Sequence, residues 1–172
     1  MLIDLTGIIK DENGKIIISE DFVMPEVGFM GEEFDFSEPL RAEGSITNNS
    51  KSLELDMRVT GSVGVHCARC GKPVTVDVDF PVREILVRED EAVSDGEDVV
   101  RYQGQKIELD EVIVSDFLLS VPAKYLCSED CKGLCPHCGA DLNETTCNCD
   151  KDIIDPRWEK LAEIMKNMTD TE

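Results

Sequence analysis

The chain has 172 residues, with 37 acidic side chains against 17 basic ones and a formal charge of −20. So acidic a surface excludes the usual nucleic-acid binder, whose affinity rests on cations that displace counterions from phosphates, and an anionic membrane as partner. With 41% hydrophobic residues in patterned positions and only 5% aromatics, the chain reads as a folded, soluble protein of ordinary domain size without a base-stacking platform.

In chain order, Met1–Lys10 and Lys15–Glu20 read as strands around Asn13-Gly14, a dipeptide favoured in tight hairpin turns. Phe22 to Pro39, with Pro25, Gly28 and Gly31, reads as loop with some extended structure. Leu40, Ala42, Gly44 and Ile46 then alternate with polar neighbours up to the turn Asn48-Asn49-Ser50-Lys51. The clearest pattern follows. Leu53, Leu55, Met57, Val59, Val63 and Val65 occupy every second position, and the period resumes at Val74, Val76, Val78, Phe80 and Val82. Side chains alternate faces along a strand, so these segments predict a half-buried hairpin, with Gly61 and Gly64 marking a bulge or bend.

Residues 89–98 carry six carboxylates and no base, the signature of a solvated loop. Extended structure returns over Val99–Leu109, with Gly104 at a turn. Asp110 is placed to cap a short helix over about 110–120, buried through Val112, Ile113, Val114, Phe117, Leu118 and Leu119 and ended by Pro122. A last helix is expected after Asp155-Pro156, with Trp158, Leu161, Ala162 and Met165 as its docking stripe. This gives an α+β fold: a curved, barrel-like antiparallel β-sheet with a short buried helix over residues 1–122, a zinc-ribbon-like element over 123–152, and a C-terminal helix and tail over 153–172.

Eight cysteines carry the chemistry. The start Met1-Leu2-Ile3-Asp4 shows no secretory leader, and no apolar run reaches the roughly 20 residues of a membrane helix. The expected compartment is therefore the cytoplasm, where clustered cysteines bind metal more often than they form disulfides. Cys135-Pro-His-Cys138-Gly139 has the form of a zinc knuckle, and Cys147 with Cys149 supplies a second pair, giving a closed tetrahedral Zn2+ site. Cys67, Cys70, Cys127 and Cys131 remain, enough for a second site that would pin the hairpin tip to the C-terminal segment. Free thiols at Cys67 and Cys70, or a different grouping of the pairs around one zinc, stand as alternatives, as does a ligand role for His66 or His137. Cys135-Pro-His-Cys138 also matches a thiol-disulfide oxidoreductase or redox sensor, but that chemistry needs a βαβ setting which the flanking sequence lacks. There is no phosphate-binding glycine loop and no nucleophile elbow, so the reading is not an enzyme and no small-molecule substrate is evident.

The succession of features resembles the YceD-like family of large ribosomal RNA subunit accumulation proteins. It is carried by the alternating strand into Cys67-Ala68-Arg69-Cys70, the acidic loop, Val121-Pro122, the run Cys127-Ser-Glu-Asp-Cys131-Lys-Gly-Leu-Cys135-Pro-His-Cys138-Gly139, Leu142-Asn143, Cys147-Asn148-Cys149 and Ile154-Asp155-Pro156-Arg157-Trp158. The resemblance implies a bacterial cytosolic factor that supports 23S rRNA accumulation and large-subunit assembly. Many members lack the C-terminal cysteines, so zinc marks one branch and no catalytic residue carries over. The charge points to a basic large-subunit ribosomal protein or assembly factor as the partner. RNA contact is confined to the 66–88 hairpin, where Arg69, Lys72, Arg83 and Arg88 thin the acidity.

Overall fold

The central hairpin forms where the period-2 pattern places it. Two long strands, Leu53–His66 and Pro73–Arg88, pair in antiparallel register from Leu53 opposite Leu86 to His66 opposite Pro73. In the computed structural model, residues 1–29, 31–91, 99–149 and 158 are described. The chain divides into two compact units, Met1–Cys131 and Lys132–Glu172. The first unit contains β1 (Leu2–Asp4), β2 (Lys15–Phe22), β3 (Val27–Phe29), β4 (Glu32–Phe34), β5 (Leu40–Asn48), β6 (Leu53–His66), β7 (Pro73–Arg88), β8 (Val100–Tyr102), β9 (Lys106–Glu108) and α1 (Asp110–Ser120).

The main sheet has five strands in the order β2-β5-β6-β7-β8. It is antiparallel except at its β7–β8 edge, where Leu86, Val87 and Arg88 run parallel to Val100, Arg101 and Tyr102. Among the described residues this order is open, ending at β2 and β8, and no barrel closes. The hairpin expected around Asn13-Gly14 does not form. Strand β1 instead pairs with β9, and β2 with β5. The physical reason lies in residues 5–14, which turn rather than extend. Leu5 and Ile8 are buried, the N–H groups of Ile8 and Ile9 both donate to the Leu5 carbonyl, and the Asn48 side chain donates to the Ile8 carbonyl at 2.7 Å.

Gly61 and Gly64 mark no bulge, since the β6–β7 register is unbroken through both. They mark close approach instead. Gly64 exchanges two backbone hydrogen bonds with Asp35, and a Cβ on Gly61 would fall on the Leu40 side chain.

Helix α1 packs against β7 and buries Ile113 and Phe117. Phe117 is fully buried, with ring centroids 5.0 Å from Phe34, 5.2 Å from Phe36 and 5.8 Å from Phe80. Asp110 is not the cap. Leu109 holds the N-cap position without a side-chain hydrogen bond, and Asp110 and Glu111 lie in the first turn, where the helix dipole favours negative charge. The expected terminal helix lies outside the described residues, as does most of the acidic loop. Trp158 alone is described there, 60% exposed. Among the described residues no helix is long and apolar enough to cross a membrane.

Candidate metal centres

The turn joining β6 to β7 is a knuckle closed by two backbone hydrogen bonds. Cys67 donates to the Lys72 carbonyl at 2.9 Å, and Gly71 donates to the Cys67 carbonyl at 2.8 Å. Gly71 sits at φ +70°, a left-handed conformation that costs glycine little. The same device recurs in the second unit. Cys135 donates to the Ala140 carbonyl at 2.8 Å and Gly139, at φ +72°, donates to the Cys135 carbonyl at 2.9 Å. The string Cys-x-x-Cys-Gly is shared by Cys67–Gly71 and Cys135–Gly139.

Each knuckle meets a second cysteine pair. Cys67, Cys70, Cys127 and Cys131 form one group and Cys135, Cys138, Cys147 and Cys149 the other, with all Sγ atoms of a group within 4.8 Å of one another. In the first group Cys67 Sγ lies 3.8 Å from Cys131 Sγ, and Cys70 Sγ 3.6 Å from Cys127 Sγ. Those separations are too long for a disulfide bond of about 2.05 Å. They match the edge of a sulfur tetrahedron around zinc, about 3.8 Å for Zn–S bonds of ~2.3 Å. The donor set is the one zinc prefers, and four sulfurs leave no coordination position open for a substrate.

Several contacts hold the first group that the sequence did not disclose. Cys67 bridges to Tyr125 in parallel fashion, and the Ala68 N–H donates to the Tyr125 carbonyl at 2.9 Å. Arg69 reaches across the site, its Nη1 donating to the carbonyls of Cys131 at 2.7 Å and Glu129 at 3.2 Å. Such a clamp fixes the ligand-bearing loop through its backbone, as outer groups commonly do at metal sites. His66 is turned to other work. Its backbone N–H and its ring Nδ1 both meet Glu32 Oε1, at 2.7 and 3.0 Å. Neither His66 nor His137 belongs to either thiol group among the described residues.

The electrostatics of both groups suit a cation. The backbone N–H of Cys127, with those of Arg69 and Cys70, holds Cys67 down at about 6. Cys135 is likewise held at about 6 by the N–H groups of Cys138 and His137. Their neighbours move the other way. The sulfurs of Cys131 and Cys70 push Cys127 up to about 12, and that of Cys138, with burial, pushes Cys149 up to about 12. At Cys70 the Lys72 N–H pulls the value down, but burial and the Cys67 sulfur outweigh it and raise the thiol. Four negative sulfurs cannot share so small a volume without positive charge, and a divalent ion supplies it.

The hairpin's arginines are engaged locally. Arg83 Nε meets Asp56 at 3.4 Å, Arg88 Nε meets Asp90 at 3.2 Å, and Arg58, facing them on β6, makes a two-point contact with Asp79.

Comparison with known proteins gives one family model, described as large ribosomal RNA subunit accumulation protein YceD, which matches residues 55–165. An uncharacterized protein of Mycobacterium tuberculosis is 33% identical over 135 residues, covering 69% of this chain and 65% of the relative. Uncharacterized protein YlbN of Bacillus subtilis is 24% identical over 129 residues, 74% of this chain and 75% of its own length. A chloroplastic Arabidopsis thaliana protein named large ribosomal RNA subunit accumulation protein YCED homolog 1 is 23% identical over 163 residues, 78% of this chain and 51% of its own. The chain thus spans just under two thirds of the length of that Mycobacterium tuberculosis relative. No solved structure matches.

Proposed function

The chain belongs to the YceD family of large ribosomal RNA subunit accumulation proteins, and from that premise we propose that it is a non-enzymatic ribosome-biogenesis factor of the cytoplasm. It supports accumulation of 23S rRNA by holding a basic large-subunit ribosomal protein, or a basic assembly factor, before that protein meets RNA. The family match over residues 55–165 is the observation that carries this reading.

The charge of −20 supports a protein as the direct contact rather than RNA. Complementary charge would steer the encounter and make it salt-sensitive. Arg58 and Arg83 on the hairpin already lie beside Asp79 and Asp56. Exposed pairs of this kind contribute little stability, but each puts a carboxylate where a phosphate would have to approach.

Zinc is structural in this reading. The first unit holds one ion on Cys67, Cys70, Cys127 and Cys131, and the second unit another on Cys135, Cys138, Cys147 and Cys149. Closed thiolate tetrahedra favour this over thiol-disulfide exchange at Cys135 and Cys138. When bound, the ion supplies cross-linking and charge neutralisation, not bond chemistry. The test is recovery of tagged protein from lysate at low and high salt, followed by sequencing of bound RNA and identification of bound proteins. Enrichment of large-subunit components at low salt, lost at high salt, is expected. Recovering neither large-subunit protein nor 23S rRNA at low salt would overturn the proposal.

A further inference from the structure

We infer that the two thiol sites differ in kind: the second is an exchangeable metal site on which the order of residues 132–149 depends, while the first is retained by an already folded sheet. The inference rests on the zinc reading above and goes beyond it, because it turns metal availability into a switch confined to the C-terminal unit.

The two sites sit in opposite surroundings. In the first, Cys67, Cys70 and Cys131 are only 2%, 6% and 3% exposed, Val74 and Leu126 pack against them, and Cys127 alone is exposed. Its knuckle is the tip of a hairpin whose register runs unbroken through fourteen residue pairs and whose inner face belongs to the main hydrophobic core. That knuckle is shaped whether or not metal is present. An ion bound there is shielded on three of its four sulfurs, and the two on the hairpin tip are already in place.

The second site has no such support among the described residues. Of residues 132–149, only Gly133 and Cys135 are buried, and Leu134 is 45% exposed. Cys138 is exposed, and Cys147 and Cys149 are half-buried. No helix or strand lies within 132–149. The order that exists comes from one isolated bridge, Leu134 to Asp141, and from short-range polar contacts. The Asp141 carboxylate accepts from the Asn143 N–H at 2.9 Å, and the Asn143 side chain accepts from the Lys132 N–H at 2.7 Å. Ordering eighteen residues costs chain entropy that such contacts cannot offset without apolar burial. Where a module lacks a core, the free energy of metal binding is the free energy of folding. Three of the second site's four sulfurs are exposed or half-buried, against one in the first site, so a chelator or a second thiol reaches the bound ion more readily and this site exchanges first.

The experiment uses the full chain as purified. Zinc content is measured, a chelator is added, and zinc release is followed together with far-UV circular dichroism and tryptic cleavage after Lys132. Two zinc equivalents are expected to leave in two phases. Cleavage after Lys132 should appear with the fast phase while the sheet signal holds, and added zinc should restore protection. The double variant C138S/C149S should lose one of the two equivalents, remain cleavable, and keep the sheet signal and melting temperature of the parent. Release of both equivalents in one phase, loss of both from C138S/C149S, or cleavage that ignores zinc would overturn the inference. Purified protein without any zinc would instead overturn the zinc reading on which it rests.

Discussion

Cys67 Sγ and Cys131 Sγ lie 3.8 Å apart although 64 positions separate them in the chain. No local rule brings them together. Cys67 is delivered by the end of β6, and Cys131 by a segment that the Tyr125 and Arg69 contacts fold back over the hairpin tip. A metal ion joining them closes a long loop, and restricting the unfolded chain in that way stabilises the folded one.

Arg69 is expected to matter to the first site without touching the metal. Its Nη1 donates to both the Cys131 and the Glu129 carbonyls, tying the ligand-bearing segment to the hairpin tip. Arg69→Ala should weaken zinc retention at the first site by about tenfold or more, as loss of outer support does at metal sites. Competition with a chromogenic chelator measures this. Retention equal to the parent would rule out the clamp.

Zinc binding should release protons and strengthen as pH rises. At pH 7 Cys67 and Cys135, held at about 6, are already thiolates, whereas Cys127 and Cys149, at about 12, are thiols. Cys70 is also a thiol at that pH. Zinc takes only thiolates, so the first site must expel protons from at least Cys70 and Cys127, and the second from at least Cys149. Below about 6 the protons on Cys67 and Cys135 must be displaced as well, and affinity should fall more steeply. In the metal-free protein the depressed Cys67 contributes stability fully present above the ordinary thiol value of 9.0 and lost as pH falls through about 6. Titration with zinc in weak buffer between pH 5 and 8 reads both effects, and a pH-independent affinity would contradict them.

Gly44→Ala should be among the most damaging single substitutions in the sheet. Gly44 faces Met57 across β5 and β6, and a Cβ there would sit 2.3 Å from the Met57 Cα and the Asp56 carbonyl oxygen. Backbone on a central strand cannot move aside, so a loss of about 3 kcal/mol is expected. For a chain of this size that lowers the melting temperature by roughly 10 °C. A melt within a degree or two of the parent would mean that the strands separate more easily than their register suggests.

Asp116 should yield a gain. One of its carboxylate oxygens is buried on α1 without a hydrogen-bond partner, and burial raises its pKa. A carboxyl group raised in the folded state costs stability above that raised value, and the cost fades as pH falls through it and is gone below the ordinary 3.8. Asp116→Asn removes the charge and should stabilise by at most about 1 kcal/mol at pH 7, because the residue is only part-buried and water screens the rest. The advantage should shrink as the pH is lowered toward 4. An advantage unchanged across that range would assign it to something other than the charge.

The sequence by itself determined the elements whose signal is local. Period-2 alternation from Leu53 to Val82 specified the β6–β7 hairpin, because side chains on a strand alternate faces. Cys135-Pro-His-Cys138-Gly139 was legible as a knuckle, because a tight turn with glycine at positive φ is a property of five residues. What only the tertiary structure decided were pairings between distant segments. Asn13-Gly14 reads as a hairpin, yet β1 joins β9 and β2 joins β5, because burying Leu5 and Ile8 requires the chain between to turn. Gly61 and Gly64 read as a bulge, yet they make room for Leu40 and Asp35. Cys127 and Cys131 face Cys67 and Cys70 only because Tyr125 and Arg69 hold their segment there. Periodicity records which side of a strand meets the core, but it carries no term for which distant segment arrives on the other side.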